Sequence, residues 1–89
     1  MIAIDEEQCL DLVKKSNLIT GNYLDDMLSQ KIKEVKSFMI FSGVAEDVVN
    51  SDIAVGVIAI GVNDLYSPQG TSGAQKFSEY FFQRVYQLR

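Results

Sequence analysis

Cys9 is the only thiol in this sequence, and the chain contains no histidine that could activate it as a nucleophile. Histidine is the commonest general base and metal ligand, so its absence removes the usual partner of a catalytic cysteine. A single cysteine cannot form an internal disulfide, so nothing here requires an oxidising compartment. We therefore interpret Cys9 as a structural residue.

The carboxylates are the other candidates for chemistry, but their spacing does not match a known kind of site. Asp25 and Asp26 are adjacent, so on a helix they point in different directions, and we interpret them as charges that stabilise a helix N-terminus. There is no calcium-loop spacing and no phosphate-binding glycine motif, because Gly56 and Gly61 are too far apart. We predict a protein that is not an enzyme, without catalytic, cofactor-binding or metal-binding residues.

The charge balance also disfavours general nucleic-acid binding. The chain has 12 acidic and 8 basic side chains and a formal net charge of −4. Proteins that bind nucleic acid without sequence preference usually carry a basic surplus, because neutralising phosphates supplies most of the affinity. A local patch at Lys31, Lys33 and Lys36 is the exception, which we interpret as a solvated helix face.

The first helix is predicted from its capping residues. Asp5 is a good N-cap and Gln8 follows three residues later, so each side chain can accept a hydrogen bond from the backbone of the other. Ile4 and Cys9 stand where a hydrophobic staple would pack. We place this helix at about residues 5–15.

A second helix is predicted over about residues 22–42, beginning at the cap Asn22 and ending before Gly43. Its apolar residues recur at helical spacing and form one stripe. The stripe is Leu24, Leu28, Ile32, Val35 and Met39, and we expect Met27, Phe38 and Phe41 to widen this buried face.

A third helix is predicted over about residues 51–66, although its apolar run Ile53–Val62 is rich in the β-branched residues of strands. No second strand-like run could pair with it, and it is too short to span a bilayer. Gly56 and Gly61 each cost about 1 kcal/mol inside a helix, and we expect them to permit close helix packing. Residues 44–50 are ambiguous and could hold a short helical turn.

The last helix is predicted over about residues 74–88, after a loop rich in glycine and serine that contains Pro68. It starts either at Ser72, with Gln75 completing a capping box, or at Ser78. The sequence therefore predicts an all-α fold, a compact bundle of about four helices in a single domain over residues 1–89.

Two aromatic residues of the last helix are the best candidates for a binding surface. Phe77, Phe81, Val85 and Leu88 form the predicted packed face, and Phe82 and Tyr86 lie roughly 100–140° away from its centre. The alternative is that a neighbouring loop covers this pair. We also assign four nearby residues to the same candidate protein interface: Tyr66, Gln69, Tyr80 and Arg84.

From about Asn22 onward the chain resembles the head–tail connector family of tailed phages, also called head-completion or adaptor proteins. The match covers roughly three quarters of the chain, counted on the helical pattern. Four features carry it in this order: Asp26-Met27-Leu28 with Ile32, Val35, Phe38 and Gly43; the run ending Ile60-Gly61-Val62-Asn63-Asp64-Leu65-Tyr66; a Gly/Ser loop; and Lys76-Phe77-Ser78 with Gln87-Leu88.

This resemblance implies a virion structural protein, made in the host bacterial cytoplasm and located at the neck. It implies a homo-oligomeric ring, expected to be a dodecamer, that docks under the portal protein and contacts a stopper or tail-completion protein. DNA would pass through the ring without sequence-specific binding, and no membrane or cofactor is expected. Two alternatives stay open: a small helical DNA-binding regulator, and an antitoxin-like partner-binding bundle.

Overall fold

Five α-helices make up the regular structure of the residues that the computed structural model describes, which are residues 1–66 and 77–89. They are α1 (Glu6–Ser16), α2 (Asp25–Phe41), α3 (Glu46–Val49), α4 (Val55–Tyr66) and α5 (Glu79–Leu88). The fold is all-α, and the predicted bundle of about four longer helices is confirmed. The predicted Gly/Ser loop with Gln69, and the side chain of Tyr66, lie outside the described residues.

The start of α1 is held by the predicted capping box. The Gln8 backbone N–H donates to Asp5 Oδ1 at 2.8 Å, and the Asp5 N–H donates to Gln8 Oε1 at 3.2 Å. Cys9 is fully buried, and Ile4 packs against the core from outside the helix. Two backbone donors of the first turn are thereby satisfied, and the predicted cap is confirmed.

The predicted cap of α2 is wrong. Residues 22–24 form a turn in which the Asp25 N–H donates to the Asn22 carbonyl at 3.2 Å, so α2 begins at Asp25 rather than at Asn22. Leu24 occupies the N-cap position and supplies no side-chain hydrogen bond. Instead, Lys14 of α1 lies 2.7 Å from Asp25, which places this carboxylate at the positive end of α2 and ties the two helices together.

The end of α2 follows the prediction at Gly43. Gly43 has a φ of +104°, and the Val44 N–H donates to the Met39 carbonyl at 3.0 Å while the Gly43 N–H donates to Ile40 at 3.0 Å. This pair of bonds defines a Schellman motif, in which the left-handed residue is usually glycine. Val44 and Met39 are both buried, so the motif also turns the chain back onto the core.

α4 is the central helix, and α1, α2 and α5 all pack against it. A 3₁₀ turn (Asp52–Ala54) leads into it, and the ambiguous segment before that turn contains the one-turn helix α3. A Cβ atom added at Gly61 would lie 2.7 Å from Phe81 Cε1 and 2.9 Å from Val35 Cγ1. The expected close packing is therefore found at Gly61, but not at Gly56, where an added Cβ atom would meet no packing neighbour within 4 Å among the described residues.

The structure places the start of α5 at the later of the two predicted positions, Ser78 rather than Ser72. Ser78 is the N-cap and accepts from the Phe81 N–H at 3.2 Å, so the later start is correct and residues 77 and 78 are not helical. Asp64 on α4 accepts from the Ser78 N–H at 3.0 Å and from its hydroxyl at 2.9 Å. The predicted helix was too long at residues 77 and 78, because these hydrogen bonds to Asp64 fix the cap at Ser78; residues 74–76 of the predicted range lie outside the described residues.

A strained residue follows α1. Leu18 has a φ of +57° and a side chain that is 90% exposed. The Ile19 N–H donates to the Lys14 carbonyl at 2.8 Å, so this turn is a second Schellman motif with leucine in the position that favours glycine. A left-handed conformation costs a non-glycine residue about 1–2 kcal/mol.

Leu18→Gly should therefore raise the free energy of unfolding by about 0.5–1 kcal/mol, since the strain is relieved and part of the gain is lost to unfolded-state entropy. Little contact is lost, because the side chain is exposed. Urea denaturation would measure the change. Leu18→Ala keeps the Cβ atom and serves as the control, with little expected change; a loss of stability in Leu18→Gly would contradict the prediction.

Candidate protein-binding surface

The inner face of α5 packs on the bundle as predicted. Phe81 and Val85 are buried, and Phe77 and Leu88 pack against the core from its edge. The Phe77 and Phe81 rings are stacked with centroids 4.4 Å apart, and the Phe38 ring of α2 lies 4.9 Å from Phe77. This aromatic cluster joins α5 to α2.

The cluster continues outward to the surface. Phe82 lies 5.6 Å from the Phe38 ring and 37% of it is exposed, while Tyr86, one turn further along α5, is 62% exposed. Because the two residues are four apart, they share one side of the helix. The structure thus places both predicted interface residues on an outward-facing side of α5.

Phe41 on α2 was expected in the core, but the structure places it on the surface. It is 90% exposed and lies one helical turn beyond Phe38 on α2. The reason is visible on the helical wheel: Phe41 is about 200° from the buried Met39, so the two cannot share a face. Phe82 and Tyr86 are called the aromatic face below.

The charge around the aromatic face is low. Between Glu79 and Arg89, every exposed residue of α5 is uncharged; these residues are Tyr80, Phe82, Gln83, Tyr86 and Gln87. The Arg89 guanidinium lies 5.2 Å from the centroid of the Tyr86 ring, a cation–π arrangement. Aromatic residues and arginine with few other charges are typical of the centre of protein interfaces.

Two other predicted interface residues lie elsewhere. Tyr80 and Arg84 are one turn apart, and the Arg84 Nη1 donates to the Tyr80 hydroxyl at 3.1 Å. Since Tyr80 is about 200° from Phe82 on the wheel, this pair lies on the opposite side of α5. The structure therefore divides these interface residues between two sides of α5, and their assignment to a protein interface stays a prediction.

A cleft lies on the Tyr80 side of α5 and has a volume of about 480 Å³. Its α4 side is lined by Gly56 and Ala59, which have no side chain or a small one, and by Asn63. Asn17, at the end of α1, forms one wall and its side-chain amide donates to the Ala59 carbonyl at 3.4 Å. Ser78 and Tyr80 form the wall opposite.

The other charged residues considered as functional candidates include side chains that form contacts within the protein. Asp25 is paired with Lys14, and the Lys36 ammonium donates to the Asn50 side chain at 3.1 Å. Across residues 1–66 and 77–89, no group of three or more acidic, cysteine or histidine side chains is placed to hold a metal ion. None of the helices in those ranges has the length and apolarity needed to cross a membrane.

Burial raises the pKa of the Cys9 thiol above its usual value; Lys36 acts in the opposite direction and Glu6 in the same direction as burial, so the thiol stays protonated at neutral pH. Cys9→Ala should cost about 1 kcal/mol or less, since the thiol acts as a small apolar group. Thermal melting measures this cost, and thiol labelling of the folded protein should be slow. Rapid labelling under native conditions would contradict the structural interpretation.

No protein-family model, no curated protein and no solved structure matches this chain. The candidate surface is therefore argued from its own side chains.

Proposed function

We propose that this chain is a structural subunit that assembles with other proteins through the aromatic face. The observation that carries the proposal is the exposure of Phe82 and Tyr86 on one side of α5, next to the aromatic cluster that Phe38 forms with this helix. Clustered aromatic side chains in water are unfavourable, and such patches mark interaction sites in small proteins. Self-association or partner binding would remove this apolar surface from water.

The assembly we propose is the head–tail connector ring of a tailed phage, since the order of helices, glycine and loop in the sequence resembles that family. In this proposal the protein is a virion component of the neck, made in the host bacterial cytoplasm. Its partners are copies of itself, the portal protein and a stopper or tail-completion protein. A net charge of −4 suits a conduit through which DNA passes without being held.

The test removes the aromatic face from α5 and measures assembly and folding together. The Phe82→Ala/Tyr86→Ala variant should melt cooperatively yet weaken association at least tenfold, because buried aromatic anchors are often worth about 2 kcal/mol each. Sedimentation velocity over a concentration series would report the assembly state. Tyr23→Ala is the matched control, since Tyr23 is an exposed aromatic residue (79%) in the connection between α1 and α2.

A folded double variant that assembles like the wild type would contradict the proposed surface. A double variant that unfolds would show that both residues belong to the core instead. The wild type should also bind duplex DNA weakly and without sequence preference. A tight, sequence-specific complex would favour the DNA-binding regulator instead. A stable complex with one unrelated partner, without self-association, would favour the antitoxin-like bundle.

A further inference from the structure

Four exposed side chains of α5 form a stripe that includes the aromatic face. They are Glu79, Phe82, Tyr86 and Arg89, separated by three, four and three positions. At 100° per residue these positions fall within an arc of roughly 80°, on a side of α5 away from the buried Phe81. This spacing is that of the contact positions in a coiled-coil pair of helices.

The stripe is complementary to itself when two copies of α5 run antiparallel. Its two charged residues are each five positions from Arg84, and its two aromatic residues are each two positions from it. A two-fold axis at this level therefore places Phe82 against Tyr86 of the second copy. The same axis places Glu79 against Arg89 of the second copy, so opposite charges flank the aromatic pairs. A parallel pair would instead place each charge against a like charge.

We infer that the aromatic face binds the same face of a second copy of this chain, with the two α5 helices antiparallel. This inference rests on the proposed function, because it names the partner of the aromatic face. The two aromatic pairs leave water at the centre of the contact, and the two ion pairs fix its direction. Such a contact closes on itself and gives a dimer, so a ring would use other surfaces as well.

The charged ends of the stripe are placed for this contact. Glu79 and Arg89 are both exposed, and neither forms an ion pair within the part of the chain that the structure describes. The Arg89 N–H donates to the Tyr86 carbonyl at 3.3 Å, so the Arg89 backbone remains on the last turn of α5. Its guanidinium lies 5.2 Å from the centroid of the Tyr86 ring, at the end of the aromatic face.

The length of α5 sets the expected strength of the contact. α5 has 10 residues and is therefore about 15 Å long. A contact between two helices of this length is smaller than the interfaces of stable complexes, so the dimer should be weak and should form at high protein concentration. Sedimentation equilibrium should therefore extend to roughly 1 mM subunit.

Reversing the charges tests the antiparallel pairing. Glu79→Lys and Arg89→Glu each place two like-charged pairs in the dimer, so each variant should self-associate about tenfold more weakly than the wild type. A parallel dimer would be unaffected, because its charges already face like charges. Gln87→Glu is the matched control and should dimerise like the wild type, since this exposed residue lies roughly 120° from the centre of the stripe.

Mixing the two reversed variants gives the decisive readout. In the mixed dimer the two reversed side chains face each other, and so do the two unchanged ones. Both pairs then have opposite charges, so an equimolar mixture should dimerise about as strongly as the wild type. Thermal melting checks the fold of each variant. If Glu79→Lys fails to fold, Glu79→Gln replaces it, and its mixture with Arg89→Glu should dimerise more strongly than Arg89→Glu alone.

The failure of this inference differs from the failure of the proposed surface. Unchanged self-association of both reversed variants, or a mixture as weak as either variant alone, would overturn the inference. A wild type that is monomeric at every concentration would also overturn it and would leave a different protein as the partner of the aromatic face. The proposed surface itself fails only if the folded Phe82→Ala/Tyr86→Ala variant assembles like the wild type.

Discussion

Gly61→Ala should lower the free energy of unfolding by about 1–2 kcal/mol, although alanine is the better helix former. The added methyl group would lie 2.7 Å from Phe81 Cε1 and 2.9 Å from Val35 Cγ1, closer than carbon atoms approach without displacement. Both neighbours are fully buried, so neither can move into solvent. The overpacking penalty therefore exceeds the gain in helix propensity.

Gly61→Val adds two further methyl groups to the same filled space and should cost about 3 kcal/mol. The control is in the same helix. The methyl group of Gly56→Ala would meet no packing neighbour within 4 Å in residues 1–66 and 77–89, so this variant should raise stability by up to about 1 kcal/mol. Denaturant unfolding of the three variants measures their free energies of unfolding, which should fall for the two Gly61 variants and rise for Gly56→Ala. Equal stabilisation by alanine at both positions would show that α4 is not packed closely against α2 and α5.

The helices of this protein could be predicted from the sequence because their signals are local. The reciprocal cap of Asp5 and Gln8, and the glycine that ends α2, depend on residues within one or two turns. The apolar run in α4 was correctly predicted as a helix because no second strand was present to pair with it. Local hydrogen bonds and periodicity were sufficient in these cases.

The errors arose where distant contacts decide the outcome. Asn22 is a better N-cap than Leu24, yet α2 begins at Asp25, which pairs with Lys14 on another helix. Likewise, the hydrogen bonds between Asp64 and Ser78 join residues 14 positions apart and set where α5 begins. Patterns in a single sequence do not reveal contacts between residues that are distant along the chain, so the ends of helices were predicted less well than their centres.

The candidate site was predicted only in part for a related reason. Helical spacing correctly separated Phe82 and Tyr86 from the packed face of α5, because both sets lie on one helix. Phe41 on α2 was expected in the core and is exposed, because it lies on the far side of that helix from the buried Met39. The cleft depends on three helices at once, so spacing along any one of them could not reveal it.

Phe81→Ala should lower the free energy of unfolding by about 4 kcal/mol, the largest loss expected from a single side chain. Phe81 is fully buried, stacks on Phe77 at 4.4 Å and lies 5.8 Å from the Phe38 ring. Gly61 contributes no side chain to fill the space that truncation leaves, so the cavity should persist. A domain of this size has a stability of about 5–10 kcal/mol, so the variant should be close to unfolded.

Phe82→Ala is the matched comparison, since it removes the same atoms from the next residue and should cost only about 1 kcal/mol. Phe82 has its own partner in Phe38, but part of its ring faces water, so truncation leaves an open surface rather than a cavity. Chemical denaturation of the two variants should therefore separate their midpoints widely. Equal losses would mean that Phe82 is a core residue, and the aromatic face would then be reduced to Tyr86. Widely separated denaturation midpoints would show that the subunit still folds without the Phe82 side chain. A loss of assembly in that variant could then be attributed to the surface rather than to unfolding.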